Sequence, residues 1–165
     1  PLNEILKSNG ACFGESAGWE RANWYTDSDQ EPKYEYSYGR QNWFENSAQE
    51  HRAVRENVGI YDMSSFGKIR VEGSEACEFL NYISGANCDV PIGKIVYTQF
   101  LNEDGGIEAD VTVTRLSELS FMVVTPAATR LADQTWMLRH STNFNIVIIF
   151  TEFFSYLFTS IKAYV

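Results

Sequence analysis

Residues 97–116 read YTQFLNEDGGIEADVTVTRL, and this stretch decides the fold. Two runs rich in β-branched and aromatic residues, 94–101 and 107–115, flank Asn102-Glu103-Asp104-Gly105-Gly106. Asp-Gly-Gly between two such runs is a hairpin signal, because glycine adopts the positive φ that a tight reversal needs. Along 107–115 the parity is clean. Ile107, Ala109, Val111 and Val113 face one way; Glu108, Asp110, Thr112 and Thr114 face the other. A turn centred on Asp104-Gly105 puts Tyr97 opposite Thr112 and diagonal to Asp110. Cross-strand diagonals are ~7–8 Å apart, within reach of a tyrosine ring. A two-residue slip preserves this relation, whereas a one-residue slip or a bulge abolishes it. Taken alone, a carboxylate near a phenol on the wet face of a strand reads first as a plain solvent-facing sheet and only second as a site.

Outward from the hairpin, 121–125 continues the meander as a third strand. Pro126 then stands at the start of a helix, AATRLADQTWMLRH, and 145–149 reads as another buried strand. Upstream, Ser47-Ala48-Gln49-Glu50 fits a capping box for a helix running to about Val58 and stopped by Gly59. Short strands are expected at 60–63 and 68–71. A second helix, CEFLNYI, is expected to open at Ser74-Glu75-Ala76 and end at Ser84-Gly85, followed by a Pro91-containing loop over 86–93. Hairpins mixed with helices, without a repeating βαβ pattern, give an α+β domain with an antiparallel meander and packed helices.

The first 45 residues hold nine of the 24 aromatics and sustain no period of 2 or 3.6. They are expected to form an ordered but irregular lead-in, packed on this domain or on an upstream one. The expected organisation is therefore a lead-in over 1–45, a domain over 46–149 and an apolar tail over 150–165. That tail carries four of the eleven phenylalanines. The stretch 146–165, IVIIFTEFFSYLFTSIKAYV, approaches membrane-spanning length, but Glu152 and Lys162 interrupt it. Each would cost ~2.5–3.5 kcal/mol at a bilayer centre, so a buried strand followed by a non-homologous tail is expected instead.

The chain has 165 residues, is 44% hydrophobic and carries a net charge of −9, which suffices for one core and excludes a charged disordered polymer. An acidic chain without a basic run is a poor ligand for nucleic acid or an anionic membrane. Cys12, Cys77 and Cys88 have neither CxxC nor metal-ligand spacing, so reduced thiols are expected, with Cys88 as a small buried one. His51 and His140 lie in the expected helices without a second ligand at i+4, which argues against a metal site. Neither a dinucleotide fingerprint nor a P-loop is present.

The run 97–116 resembles the folate-binding hairpin of the aminomethyltransferase family, the T-protein of the glycine cleavage system. Leu101-Asn102, Gly105-Gly106 and Asp110 carry the likeness. IYDMSSFGKIRVEG (60–73) and NCDVPIGKIVYT (87–98) extend it. GWERANWY (18–25) and YGRQNWFENSAQEHRAVRENVGIYD (38–62) resemble the start of the folate domain in sarcosine and dimethylglycine dehydrogenases and in the regulatory subunit of pyruvate dehydrogenase phosphatase. The resemblance spans about residues 9–149 and implies the N-terminal part of the aminomethyltransferase fold. It implies tetrahydrofolate as cofactor, with FAD confined to an upstream flavin domain absent from this chain, and an amine-derived one-carbon donor. It further implies Asp110 as the catalytic acidic residue and Tyr97 as a cofactor-lining one. The implied location is the mitochondrial matrix, or the cytoplasm in a bacterium. Because the family fold continues past 149, residues 1–165 alone are expected to be inactive. A non-catalytic regulatory relative is the alternative.

Overall fold

The computed structural model describes residues 2–27, 29–150 and 162–163. The chain divides into two compact units, one ending at Met63 and the other beginning at Ser64. The expected tail over 150–165 lies, past Phe150, outside the described residues except for the backbone of Lys162 and Ala163.

The first unit opens with α1 (Asn3–Ser8) and an antiparallel hairpin of β1 (Ala11–Ser16) and β2 (Trp19–Tyr25). The lead-in is thus partly regular, contrary to the irregular segment expected. Two features hid the hairpin. Its turn is Ala17-Gly18, both with positive φ (53° and 81°), the mirror-image two-residue turn that sequences usually mark with Asn-Gly or Asp-Gly. Its pairing jumps from Cys12↔Trp24 to Phe13↔Ala22, so Asn23 breaks the alternation. Residues 29–43 are irregular, and Tyr34, Tyr36 and Trp43 pack on one another and on Trp24. Trp43 takes Tyr34 and Tyr36 edge-on, with centroids 5.0 and 6.0 Å away, and Trp24 stacks at 6.3 Å.

Helix α2 (Phe44–Glu56) begins three residues before the expected capping box, with no side-chain cap. Trp43, held in the aromatic cluster, fixes its start, and Ser47 N–H already donates to Trp43 O at 2.9 Å. Downstream, β3 (Val58–Gly59) is the strand here. The strand expected at 60–63 is absent, and Ile60 and Tyr61 are exposed.

The second unit is a five-stranded antiparallel sheet made of β4 (Gly67–Glu72), β5 (Ile95–Leu101), β6 (Ile107–Arg115), β7 (Ser120–Thr125) and β8 (Val147–Phe150). The spatial order is β5-β6-β7-β4-β8. Alternation is strict where burial is one-sided. Ile69 and Val71, Ala109, Val111 and Val113, Phe121 and Val123 point into the core. Helix α3 (Ala76–Ile83) covers that face with Ala76, Phe79, Leu80 and Ile83, the i, i+3, i+4, i+7 stripe of an amphipathic helix. Full burial of such side chains contributes about 1.5–3 kcal/mol each for the larger ones. Ser74 does not cap α3; its hydroxyl instead accepts from Asn145 Nδ2 at 3.0 Å.

Helix α4 (Arg130–His140) starts later than Pro126 suggested, because 127–129 form a turn closed by Thr129 N–H donating to Pro126 O. Its buried face carries Met137 and the buried carboxylate of Asp133, which accepts from the hydroxyls of Thr125 and Thr129. These bonds tie the end of β7 to the first turn of α4. An α+β architecture with a meander and packed helices is therefore what the chain adopts.

Candidate functional site

The β5–β6 hairpin is built around one asparagine. Asn102 Oδ1 accepts from the N–H groups of Asp104 (3.1 Å) and Gly106 (2.7 Å), while its Nδ2 donates to Glu108 Oε1 at 2.8 Å. Gly105 takes φ +79°, and a Cβ on Gly106 would stand 2.8 Å from Asn102 Nδ2. The Asn-Glu-Asp-Gly-Gly sequence is thus the one this turn needs: a side-chain acceptor, then a left-handed residue, then a residue without Cβ.

Register follows from this turn. Tyr97 pairs with Thr112 and Gln99 with Asp110, so Tyr97 and Asp110 are diagonal neighbours on one face. A bulge does occur. Phe100 pairs with Ala109 but Leu101 pairs with Ile107, which leaves Glu108 as the extra residue. It sits on the turn side of the pair, so the Tyr97–Asp110 relation survives. Ile107 does not share the core face expected for it; past the bulge it is 69% exposed.

The face opposite the core is ordered in rows. Tyr97, Thr112, Val124 and Lys68 form one row, and Ile95, Thr114, Met122, Arg70 and Ile149 the next. At its β5 edge Tyr97 is 65% and Ile95 61% exposed, and Asp110 is exposed too. Hydrogen bonding to Asp110 raises the Tyr97 phenol above its ordinary pKa. Desolvation and the Asp110 charge add to this, and a hydrogen bond from Gln99 opposes it. Lys68 and Arg70 are engaged locally: Lys68 Nζ donates to Ser64 O at 3.0 Å, and Arg70 pairs with Glu72.

One member of this cluster was not singled out from the sequence. Gln99 Nε2 donates to Asp110 Oδ1 at 3.1 Å. The signal was available, because the register that sets Tyr97 beside Asp110 sets Gln99 directly across from it.

The remaining candidates lie elsewhere. His51 Nδ1 and His140 Nδ1 each contact the backbone carbonyl four residues back on their own helix. Cys88 is 1% exposed and burial pushes its thiol up, with a hydrogen bond to Ser84 pulling the other way. A shallow groove of about 380 Å³ between Glu108 and α4, lined also by Leu131, Thr135, Trp136 and Arg139, contains neither Tyr97 nor Asp110. Among the described residues no group of three His, Cys, Asp or Glu side chains could hold a metal ion, and no helix is long and apolar enough to cross a membrane.

The chain is similar to known proteins over most of its length. It is 48% identical over 139 residues to 4-methylaminobutanoate oxidase (formaldehyde-forming) of Paenarthrobacter nicotinovorans, which covers 84% of this chain and 17% of that protein. It is 32% identical to mouse mitochondrial dimethylglycine dehydrogenase (82% and 15%) and 32% identical to the mouse mitochondrial pyruvate dehydrogenase phosphatase regulatory subunit (85% and 16%). The chain therefore spans about a sixth of the length of these relatives. Among solved structures, the glycine cleavage system aminomethyltransferase T from Bartonella henselae superposes with a TM-score of 0.73 at 31% identity, covering 91% of this chain and 37% of that one. The family model described as the GCVT N-terminal domain matches residues 2–156, and the chain belongs to that family.

Proposed function

We propose that this chain contributes one wall of a folate-dependent aminomethyltransferase site within a larger demethylating enzyme of the sarcosine and dimethylglycine dehydrogenase type. The observation that carries the reading is the pair Tyr97–Asp110: an exposed carboxylate set diagonally across the β5–β6 ladder from a phenol, on the sheet face opposite the core.

The residues suit tetrahydrofolate. A flat, amine-bearing ring system needs an acceptor for its N–H groups and an apolar or aromatic surface beside it, and Asp110, Tyr97 and Ile95 provide these on one face. When bound, tetrahydrofolate supplies the nucleophilic nitrogens that accept the one-carbon unit. Asp110 orients an amine by accepting its N–H, takes up the proton released there, and stabilises positive charge developing on the donor. Tyr97 lends its ring as a surface beside Asp110.

Oxidation of the methylated amine is assigned to FAD in another part of the parent polypeptide, and the location to the mitochondrial matrix or a bacterial cytoplasm. Residues 1–165 alone bind tetrahydrofolate weakly, because a sheet face with Tyr97 65% exposed encloses little of a ligand. Tight binding in a calorimetric titration of this chain would contradict that.

In the full-length parent, Asp110→Asn lowers methylenetetrahydrofolate formation by about 10²-fold or more while amine oxidation proceeds. An unchanged product yield refutes the catalytic role. It would favour the second reading, a regulatory relative that retains the fold, which the likeness to the phosphatase regulatory subunit supports.

A further inference from the structure

We propose that Gln99 is a positioning residue of this site, whose side-chain amide clamps Asp110 and aligns it with Tyr97 toward the incoming amine. The inference rests on the reading of Asp110 given above and extends it to a residue with no role assigned so far. Three observations meet at Gln99. It stands directly opposite Asp110 in the β5–β6 register. Its Nε2 donates to Asp110 Oδ1 at 3.1 Å. Tyr97 stands two residues earlier on the same face of β5, diagonal to the same Asp110.

A side-chain amide has two N–H donors, so the bond to Asp110 uses one of them. The three side chains form one cluster in which Gln99 donates to Asp110 and Tyr97 stands on the diagonal beside it. An exposed aspartate on a strand ordinarily samples several rotamers, and fixing one at the reacting position is a recognised source of rate. Gln99 takes up lone-pair capacity on Oδ1 and leaves the rest of the carboxylate for substrate. A glutamate here would keep the length of the side chain but replace the donor with a second carboxylate beside Asp110. The charged or titratable groups on this face are Tyr97 on β5, Asp110 on β6, and Lys68, Arg70 and Glu72 on β4, while Glu108 is the unpaired residue of the bulge nearer the turn.

The test uses the full-length polypeptide that contains residues 1–165, assayed for one-carbon transfer to tetrahydrofolate across pH, with amine oxidation followed separately. Gln99→Met, of similar length and without a donor, lowers kcat for transfer about tenfold and leaves KM for tetrahydrofolate within about twofold. Gln99→Glu moves the acid limb of the transfer profile up by about one pH unit, since two adjoining carboxylates resist ionising together. Neither variant changes the rate of amine oxidation or the thermal midpoint, because Gln99 lies outside the core. Transfer kinetics and pH profiles identical to the parent in both Gln99 variants, with Asp110→Asn inactive, overturn the role of Gln99 alone. Full activity in Asp110→Asn overturns the reading beneath it.

Discussion

Replacing Asn102 by alanine tests whether the turn sets the site. Asn102→Ala deletes an acceptor for two backbone N–H groups, at 2.7 and 3.1 Å, and a donor to Glu108 at 2.8 Å. Each neutral hydrogen bond contributes a net ~0.5–1.5 kcal/mol. The turn is exposed, so water replaces part of what is lost and the lower half of that range applies to each bond. The Glu108 bond is charge-assisted but fully solvated, and adds a few tenths. The expected loss is about 1–2 kcal/mol, read as the shift in urea midpoint multiplied by the slope of the second unit's transition. Asn102→Asp combined with Glu108→Gln is the decisive control. The carboxylate keeps both backbone bonds, and the new amide at 108 donates back to it, so the polarity of the third bond is reversed and all three are retained. That double variant recovers at least half of the alanine loss. If Asn102→Ala costs under about 0.3 kcal/mol, or if the double variant is as unstable as the alanine one, the side chain does not hold the turn.

Ala17 sits at φ +53° in the first hairpin turn, a region where asparagine is far better tolerated than alanine. Ala17→Asn is therefore expected to stabilise the first unit by about 0.5–1 kcal/mol in chemical denaturation; no gain would mean that the turn relaxes in solution. Asp110→Asn returns the Tyr97 phenol toward its ordinary titration, observable by carbon NMR of ring-labelled tyrosine with Tyr97→Phe as the assignment. The sign follows from a raised folded value. The contribution of the Tyr97–Asp110 interaction is fully present below the unfolded pKa of a tyrosine and is lost as pH rises through the raised Tyr97 value. An unshifted resonance in Asp110→Asn would show that the pair is not bonded in solution. Burial raises all three thiols, with Asp89 contributing at Cys77, so native protein at pH 8 reacts slowly with an aromatic disulfide and Cys77, the least enclosed, reacts first. Rapid labelling of Cys88 would contradict the packing around it.

The β5–β6 register was legible because a turn with a unique chemistry adjoins a strand with strict alternation, and the two signals agree. The bulge at Glu108 was not, since one extra residue beside a turn leaves no trace in the parity of the residues beyond it. The β1–β2 hairpin escaped for a related reason. Ala17-Gly18 reverses the chain without the usual polar residue, and the unpaired Asn23 shifts the alternation midway. At α2 the capping-box pattern of Ser47 and Glu50 was real as a pattern, but the aromatic packing of Trp43 determines where that helix begins. Local hydrogen-bonding signals cannot report such a contact, which depends on Trp24, Tyr34 and Tyr36 arriving from elsewhere in the sequence. Tyr97 and Asp110 were found as a pair because parity relates them. Gln99 was missed because its amide attracts no attention until its distance to Asp110 is known.

The bulge after Phe100 has a consequence for how sequences of this kind can diverge. It works as a mechanical joint between the turn and the working part of the hairpin. Changes of length or conformation over 102–106 can be taken up at Glu108, whose pairing is already relaxed, before they reach Gln99 and Asp110. Variation is thus channelled to the tip of the hairpin, while the register that sets Gln99 opposite Asp110 and Tyr97 opposite Thr112 has far less room to drift without turning one of them toward the core.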